Sequence, residues 1–182
     1  MADGSERTET MDIAIRPMRP GEEVAASVLV ERVFREFVAA DCSPEGVEEF
    51  MRYVQPEMLS LRSQMGCFVL LALAGQDESP PDGRIVGVIE TRTFDHISLL
   101  FVDDRFHRQG IARALLTHAL SICQRERPEV ARIDVNSSIY AVGAYQRMGF
   151  RQSAPFQERN GIRFVPMALE VAGPHSAQAD TE

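Results

Sequence analysis

A glycine turn between an apolar segment and an amphipathic segment is the feature that most constrains this fold. Residues 97–102 form an apolar run typical of a strand, and residues 111–124 carry apolar side chains at helical spacing. The turn at residues 107–112 would gather unpaired backbone N–H groups at the positive end of the helix dipole. Such a turn is suited to a pyrophosphate, so we expect a phosphorylated cofactor.

Composition excludes several classes of protein. The 182 residues suit one domain, and the longest apolar run, residues 67–74, is too short to span a membrane. The N-terminus has early acids and no apolar leader, and a net charge of −8 argues against nucleic-acid binding. Three cysteines and four histidines are scattered without metal-ligand spacing. We therefore expect a cytoplasmic protein with no metal, no membrane contact and no nucleic-acid partner.

Helical and strand patterns alternate along residues 12–171, which we predict to be one domain between flexible ends at 1–11 and 172–182. Ser43-Pro44-Glu45 is typical of a helix start, Gly149 of a helix end, and Asn160-Gly161 of a hairpin turn. Strands are predicted at 12–18, 67–74, 84–93, 96–102, 130–135, 151–158 and 162–170. Helices are predicted at 21–40, 43–54, 56–66 and 111–124, with a short one before Gly149.

The glycine turn lacks the motifs of two common nucleotide-binding folds. It contains neither G-x-G-x-x-G nor G-x-x-x-x-G-K-[ST]; instead Gly110 is followed by the small Ala112, among Arg105, Arg108 and Arg113. This segment resembles motif A of the GNAT superfamily of acyl-CoA-dependent N-acetyltransferases, Q/R-x-x-G-x-G/A, with His107 in place of glutamine or arginine. Residues 136–150, NSSIYAVGAYQRMGF, resemble motif B of the same family. The resemblance covers roughly residues 12–170.

The resemblance implies a three-layer α/β (α+β) fold with a mixed, mostly antiparallel central sheet flanked by helices. It also implies acetyl-CoA as the acyl donor. In the family the strand before motif A bulges and splays from its neighbour, and its free amides hold the pantetheine arm. The cofactor-binding residues implied in this way are Leu100, Val102, His107, Arg108, Gln109, Gly110, Ile111, Ala112, Arg113 and Asn136.

Tyr145 is the candidate general acid. The resemblance places it where the family has a tyrosine that protonates the leaving sulfur, and a phenol with a pKa of about 10 is protonated at neutral pH. The alternative is a core aromatic on an amphipathic helix. Tyr140 is a weaker candidate because its position matches no family role.

Glu90 is the candidate general base. It shares a strand face with Val86 and Val88, and a carboxylate among apolar neighbours should have a raised pKa, which suits a base working through water. His96, at the start of the adjoining strand, is a rival base, and water alone is a third possibility. The alternative for Glu90 is a solvated residue at a strand edge.

The acceptor site should lie between the turn before the second helix and the last hairpin. Glu45 and Glu49 belong to an acidic cluster that could attract an ammonium group, and Phe156 lies on the hairpin. The acids could equally stabilise a solvated helix N-terminus. Cys42 and Cys123 raise a covalent route, which the missing partner base disfavours.

These observations predict direct transfer of an acetyl group from acetyl-CoA to a primary amine of a small molecule or peptide. Two alternatives stay open at this stage. One is a non-catalytic acyl-CoA-binding regulatory module, and the other is an enzyme that transfers a longer acyl group. A homodimer is the default expectation for the assembly.

Overall fold

The computed structural model describes residues 13–75 and 84–171. The strands are β1 (Ile13–Pro17), β2 (Phe68–Ala74), β3 (Arg84–Arg92), β4 (His96–Val102), β5 (Arg132–Ser137), β6 (Arg151–Gln152), β7 (Gln157–Arg159) and β8 (Ile162–Glu170). The helices are α1 (Glu23–Phe37), α2 (Pro44–Tyr53), α3 (Pro56–Gln64), α4 (Ile111–Glu126) and α5 (Val142–Arg147). The predicted flexible ends and residue 12 lie outside the described residues.

The strands form one sheet in the order β1-β2-β3-β4-β5-β8-β6, with β7 also paired to β8. Every neighbouring pair is antiparallel except β4 and β5, which are parallel. The mixed, mostly antiparallel sheet is therefore confirmed. The parallel pair requires a crossover connection, and α4 provides it.

Helices cover both faces of the sheet, which makes three layers. On β2, Leu70 and Ala72 belong to the core shared with α4, while Val69 and Leu71 belong to the core shared with α1 and α3. Alternate side chains of a strand point to opposite faces. Both faces of β2 are therefore buried, which explains why its sequence is a continuous apolar run.

Local sequence signals explain several of the turns. The Ser43 hydroxyl accepts a hydrogen bond from the Gly46 amide at 3.2 Å, and Pro44 is the first residue of α2. Asn160 and Gly161 have φ values of 50° and 74°, as a two-residue hairpin turn of type I′ requires. The outer strand of this hairpin is interrupted between β6 and β7, opposite Pro166 of β8. This interruption agrees with the bulge that a proline within a strand indicates.

Strand β4 separates from β5 soon after the two begin to pair. Only His96 and Ile97 have register partners on β5, namely Asp134 and Val135. On the other side of β4, Glu90 pairs with Leu99 and Thr91 with Ile97, so Ser98 is a bulged residue without a partner. The described strands thus diverge after residue 97 and leave one edge of β4 free.

Candidate active site

A cavity of about 1260 Å³ occupies the space where β4 and β5 diverge. Its walls come from β4, the turn before α4, the segment from β5 to α5, the helices α1 and α2, and the last hairpin. The predicted site residues that line it are Glu49, Leu100, Val102, His107, Arg108, Gly110, Ile111, Ala112, Arg113, Asn136 and Tyr145. Most of the residues that motifs A and B indicate therefore surround one space.

The turn before α4 presents backbone donors to this cavity. Gly110 has a φ of 82°, a conformation that few residues other than glycine adopt, and no side chain caps the helix. The first amides of an α-helix have no acceptor within the helix, so those of Ile111, Ala112 and Arg113 are available to an anion. With the dipole of a 16-residue helix behind them, these amides fit a diphosphate.

His107 and Arg113 make contacts within the protein. Nε2 of His107 lies 2.9 Å from the carbonyl oxygen of Val102 and so carries the donated proton. This ring contact ties the turn to Val102 at the end of β4, and the His107 amide donates to the carbonyl of Asp104. The guanidinium of Arg113 donates to the carbonyl of Arg147, which links α4 to the end of α5.

Gln109 does not line the main cavity. Its side-chain nitrogen lies 3.4 Å from the Arg105 carbonyl oxygen, and the residue faces a smaller depression near β1 instead. A role for its side chain in cofactor binding stays a prediction. Asn136 is exposed in the cavity wall, and its strand pairs it with Pro166 of β8.

Tyr145 is buried and still reaches the cavity wall. Its side chain packs edge-on against Phe150, with ring centroids 5.2 Å apart, and the residue is 5% exposed. Burial raises the pKa of the Tyr145 phenol well above its usual range, because the phenolate would lose hydration. The hydroxyl is therefore protonated at neutral pH, as a general acid requires.

Glu90 is fully buried and does not line the cavity. Its Oε1 lies 2.8 Å from Nε of Arg62, and its Oε2 accepts a hydrogen bond of 3.0 Å from the hydroxyl of Tyr53. The solvated strand-edge alternative is thus wrong. Tyr53 contacts Glu90 and also lines the cavity, and it was not among the residues predicted from the sequence.

His96 lines the cavity and remains a candidate base. Burial lowers its pKa, with a further contribution from the charge of Arg92, so the imidazole is neutral and able to accept a proton. By contrast, burial raises the pKa of Cys123 to about 11 and also raises the pKa of Cys42. Both cysteines are therefore protonated thiols, which disfavours a covalent route.

The predicted acceptor residues are only partly brought together. Glu49 lines the cavity and pairs with Arg52 at 3.3 Å, whereas Glu45 lies outside the wall and accepts a hydrogen bond from the Ser43 hydroxyl. That hydrogen bond lowers the pKa of Glu45, consistent with a role at the helix start. Phe156 is 50% exposed and also lies outside the wall. The hairpin instead contributes Arg159, Asn160, Ile162, Arg163 and Phe164 to the cavity.

Residues 13–75 and 84–171 contain no group of three His, Cys, Asp or Glu side chains placed to hold a metal ion. Within the same ranges, no helix has the length and apolar character needed to cross a bilayer.

Solved structures share this fold. A GCN5-related N-acetyltransferase from Rhodopseudomonas palustris superposes with a TM-score of 0.71 at 17% identity, over 88% of this chain and 98% of that one. The PaiA N-acetyltransferase from Thermoplasma acidophilum, in complex with coenzyme A, gives a TM-score of 0.66 at 20% identity, over 88% and 100%. The ribosomal-protein-S18-alanine N-acetyltransferase from Escherichia coli gives 0.57 at 15% identity, over 90% and 98%. The fold is thus that of N-acetyltransferases.

The family follows from the sequence itself. A family model described as an acetyltransferase (GNAT) domain matches residues 38–171, which is most of the chain. This protein therefore belongs to the GNAT acetyltransferase family. A search of curated proteins found no match.

Proposed function

We propose that this protein transfers an acetyl group from acetyl-CoA directly to a primary amine. The observation that carries the proposal is that the uncapped start of α4 and the buried residue Tyr145 line the same cavity. Donors for a diphosphate and a proton source for a leaving thiolate are thus held in one space, beside the free edge of β4.

In the proposed reaction, the amine nitrogen attacks the thioester carbon and the carbon–sulfur bond breaks. The start of α4 holds the diphosphate, and free amides along residues 98–102 face the pantetheine arm and the carbonyl oxygen. Tyr145 gives its proton to the leaving sulfur, and the amine nitrogen loses one proton to a base of the site or to water as the amide forms. Burial destabilises a thiolate as it does a phenolate, so a thiolate beside Tyr145 is a stronger base than in water. The raised pKa of Tyr145 is therefore compatible with this role.

The proposal is supported by family membership and by two solved neighbours. One is described as bound to coenzyme A, and the other is a NatC complex bound to Gag peptide and coenzyme A. The cavity wall combines Glu49 with arginines of the hairpin, and this mixture of charges does not select one class of amine.

The test is thiol release from acetyl-CoA with spermidine, an alanine-initiated peptide, a lysine-containing peptide and phenethylamine. We expect at least one amine to react, and Tyr145→Phe to lower kcat roughly 10- to 1,000-fold without weakening thermal stabilisation by acetyl-CoA. Tyr140→Phe tests the weaker candidate acid, which also lines the cavity. Stabilisation by acetyl-CoA without turnover of any amine would favour a non-catalytic binding module. Faster turnover of longer acyl-CoAs would favour the longer-acyl alternative.

A further inference from the structure

Tyr53 connects a buried carboxylate to the cavity. It is the last residue of α2 and lines the cavity, and its hydroxyl donates to Oε2 of Glu90 at 3.0 Å. Glu90 itself is 0% exposed and does not line the cavity. Within the described residues, Tyr53 is the group that reaches both the carboxylate and the space where an acceptor would bind.

Arg62 holds this pair in place from three directions. Its Nε lies 2.8 Å from Oε1 of Glu90, and its Nη1 donates to the backbone carbonyl of Tyr53 at 2.7 Å. Its guanidinium carbon also lies over the Tyr53 ring, 3.8 Å from the centroid. The position of the phenol is therefore set by packing and charge together, and the Glu90 carboxyl is paired with a guanidinium.

The bulge in β4 lies at the same point. Ser98, the residue without a register partner on β3, lines the cavity and hydrogen-bonds through its side chain to Tyr53. Burial and the charge of Glu90 raise the pKa of Tyr53, so the hydroxyl keeps its proton and directs it at the carboxylate. Tyr53 also lines the cavity in which an acceptor amine would bind.

We propose that Tyr53 is a catalytic residue that accepts the proton of the acceptor amine while passing its own proton to Glu90. The inference rests on the proposed acetyl transfer. One N–H bond of the ammonium group breaks and a new O–H bond forms on Tyr53; the original Tyr53 O–H bond breaks and an O–H bond forms on Glu90. The amine is left with a free electron pair for attack on the thioester. After product release the proton returns through Tyr53 to water in the cavity.

This relay removes a difficulty with Glu90 as a direct base. Both oxygens of Glu90 are already engaged, one by Arg62 and one by Tyr53. An amine could reach this carboxylate directly only if one of those contacts broke and exposed a buried charge, which is costly. The Tyr53 phenol already donates to Glu90, so it can pass its proton to the carboxylate without either residue moving.

The test measures kcat and KM against pH for wild type, Tyr53→Phe and the control Arg125→Gln, with the amine of the panel that reacts fastest. Arg125 is exposed on α4 and does not line the cavity. We expect Tyr53→Phe to lower kcat at neutral pH about 100-fold, which is the scale of general base catalysis. The loss should shrink as pH rises toward the pKa of the amine, because the free base then needs no proton acceptor. The KM for acetyl-CoA should stay unchanged, and Arg125→Gln should match wild type.

The double variant Tyr53→Phe with Glu90→Gln supplies a second readout. If the two residues act as one relay, the double variant loses no more activity than the worse single variant. A loss in Tyr53→Phe that is equal at every pH would indicate a structural role and overturn the relay. Full activity in Tyr53→Phe, with a large loss in His96→Gln, would transfer the role to the histidine. Wild-type protein that releases no thiol with any amine would instead refute the proposed function.

Discussion

Gly46 in α2 lies against the turn of the last hairpin with no room for a side chain. A Cβ atom at this position would lie 2.3 Å from the carbonyl oxygen of Gly161 and 2.4 Å from its carbonyl carbon. The same turn accepts a hydrogen bond of 2.9 Å from the Ser43 amide, so the two backbones are held together. We predict that Gly46→Ala destabilises the protein, although alanine is the better helix former.

The size of the effect follows from two opposing terms. Overpacking against backbone, which cannot rotate away, costs about 2–3 kcal/mol. Alanine in place of glycine within a helix returns about 1 kcal/mol at most. The net loss is about 1–2 kcal/mol, or a fall in Tm of about 2–8 °C for a domain of this size.

Gly143 in α5 provides the matched control. An added Cβ there would meet nothing closer than Nη1 of Arg147 at 3.5 Å, an ordinary contact. Gly143→Ala should therefore raise the free energy of unfolding by about 0.5–1 kcal/mol through helix propensity and a less flexible unfolded chain. Both variants are compared by thermal and urea unfolding. An increase in stability for Gly46→Ala similar to that for Gly143→Ala would refute the steric reasoning.

Gly46→Ala should also affect the binding of the amine and of acetyl-CoA differently. The hairpin displaced by Gly46→Ala carries Arg159 and Ile162 in the cavity wall, whereas the start of α4 is on another element. We therefore expect the KM for the amine to rise while stabilisation by acetyl-CoA persists. Equal weakening of both would contradict this division.

Three further predictions concern the start of α4, a buried acid and a surface ion pair. Acetyl-CoA at a hundredfold excess over its Kd should raise the Tm of the wild type by about 5–10 °C. Ala112→Asp should abolish this rise, although the added acid stabilises the ligand-free helix at its N-terminus. An undiminished rise would argue against a diphosphate at the start of α4. Asp103 is 2% exposed and pairs with Arg32, Arg84 and Arg105. Asp103→Asn should therefore lower the free energy of unfolding in urea by about 1–3 kcal/mol. An unchanged free energy of unfolding would contradict the role of Asp103 in joining these arginines. The Arg16 side chain, 2.5 Å from Oε1 of Glu22, lowers the pKa of the Glu22 carboxyl below its ordinary value of 4.5. The ion pair therefore stabilises the protein above pH 4.5, and this stabilisation is lost as the pH falls through the lowered pKa. Glu22→Gln should flatten the fall of Tm with acidification, and an unaltered profile would show that the pair contributes nothing.

Local signals in the sequence predicted much of the fold. The serine cap and first-turn proline of α2, the left-handed Gly149 and the Asn160-Gly161 turn each depend on residues adjacent in sequence. Such short-range preferences act before any tertiary contact forms, so they can be recognised in the chain alone. The motif around Gly110 likewise located the start of α4 at the predicted residue.

The part of the site that escaped prediction depends on distant pairings. Glu90 and Arg62 are 28 residues apart and Glu90 and Tyr53 are 37 apart, and no periodicity links them. Only the tertiary contacts of α2 and α3 with β3 show that the Glu90 carboxylate is paired with Arg62 and hydrogen-bonded to the phenol of Tyr53. For the same reason Phe156, one residue before β7, could not be excluded from the cavity by its sequence position.

The two register pairs between β4 and β5 have a mechanical consequence. They are the only hydrogen-bonded register that joins β1–β4 to β5, β8, β6 and β7 within the described residues. The sheet thus has two halves that share only this short register, and the connection through α4 links them covalently. A ligand bound between the two halves would restrain their relative motion, so we expect its binding to slow amide hydrogen exchange in β2 as well as in β8, although β2 does not line the cavity.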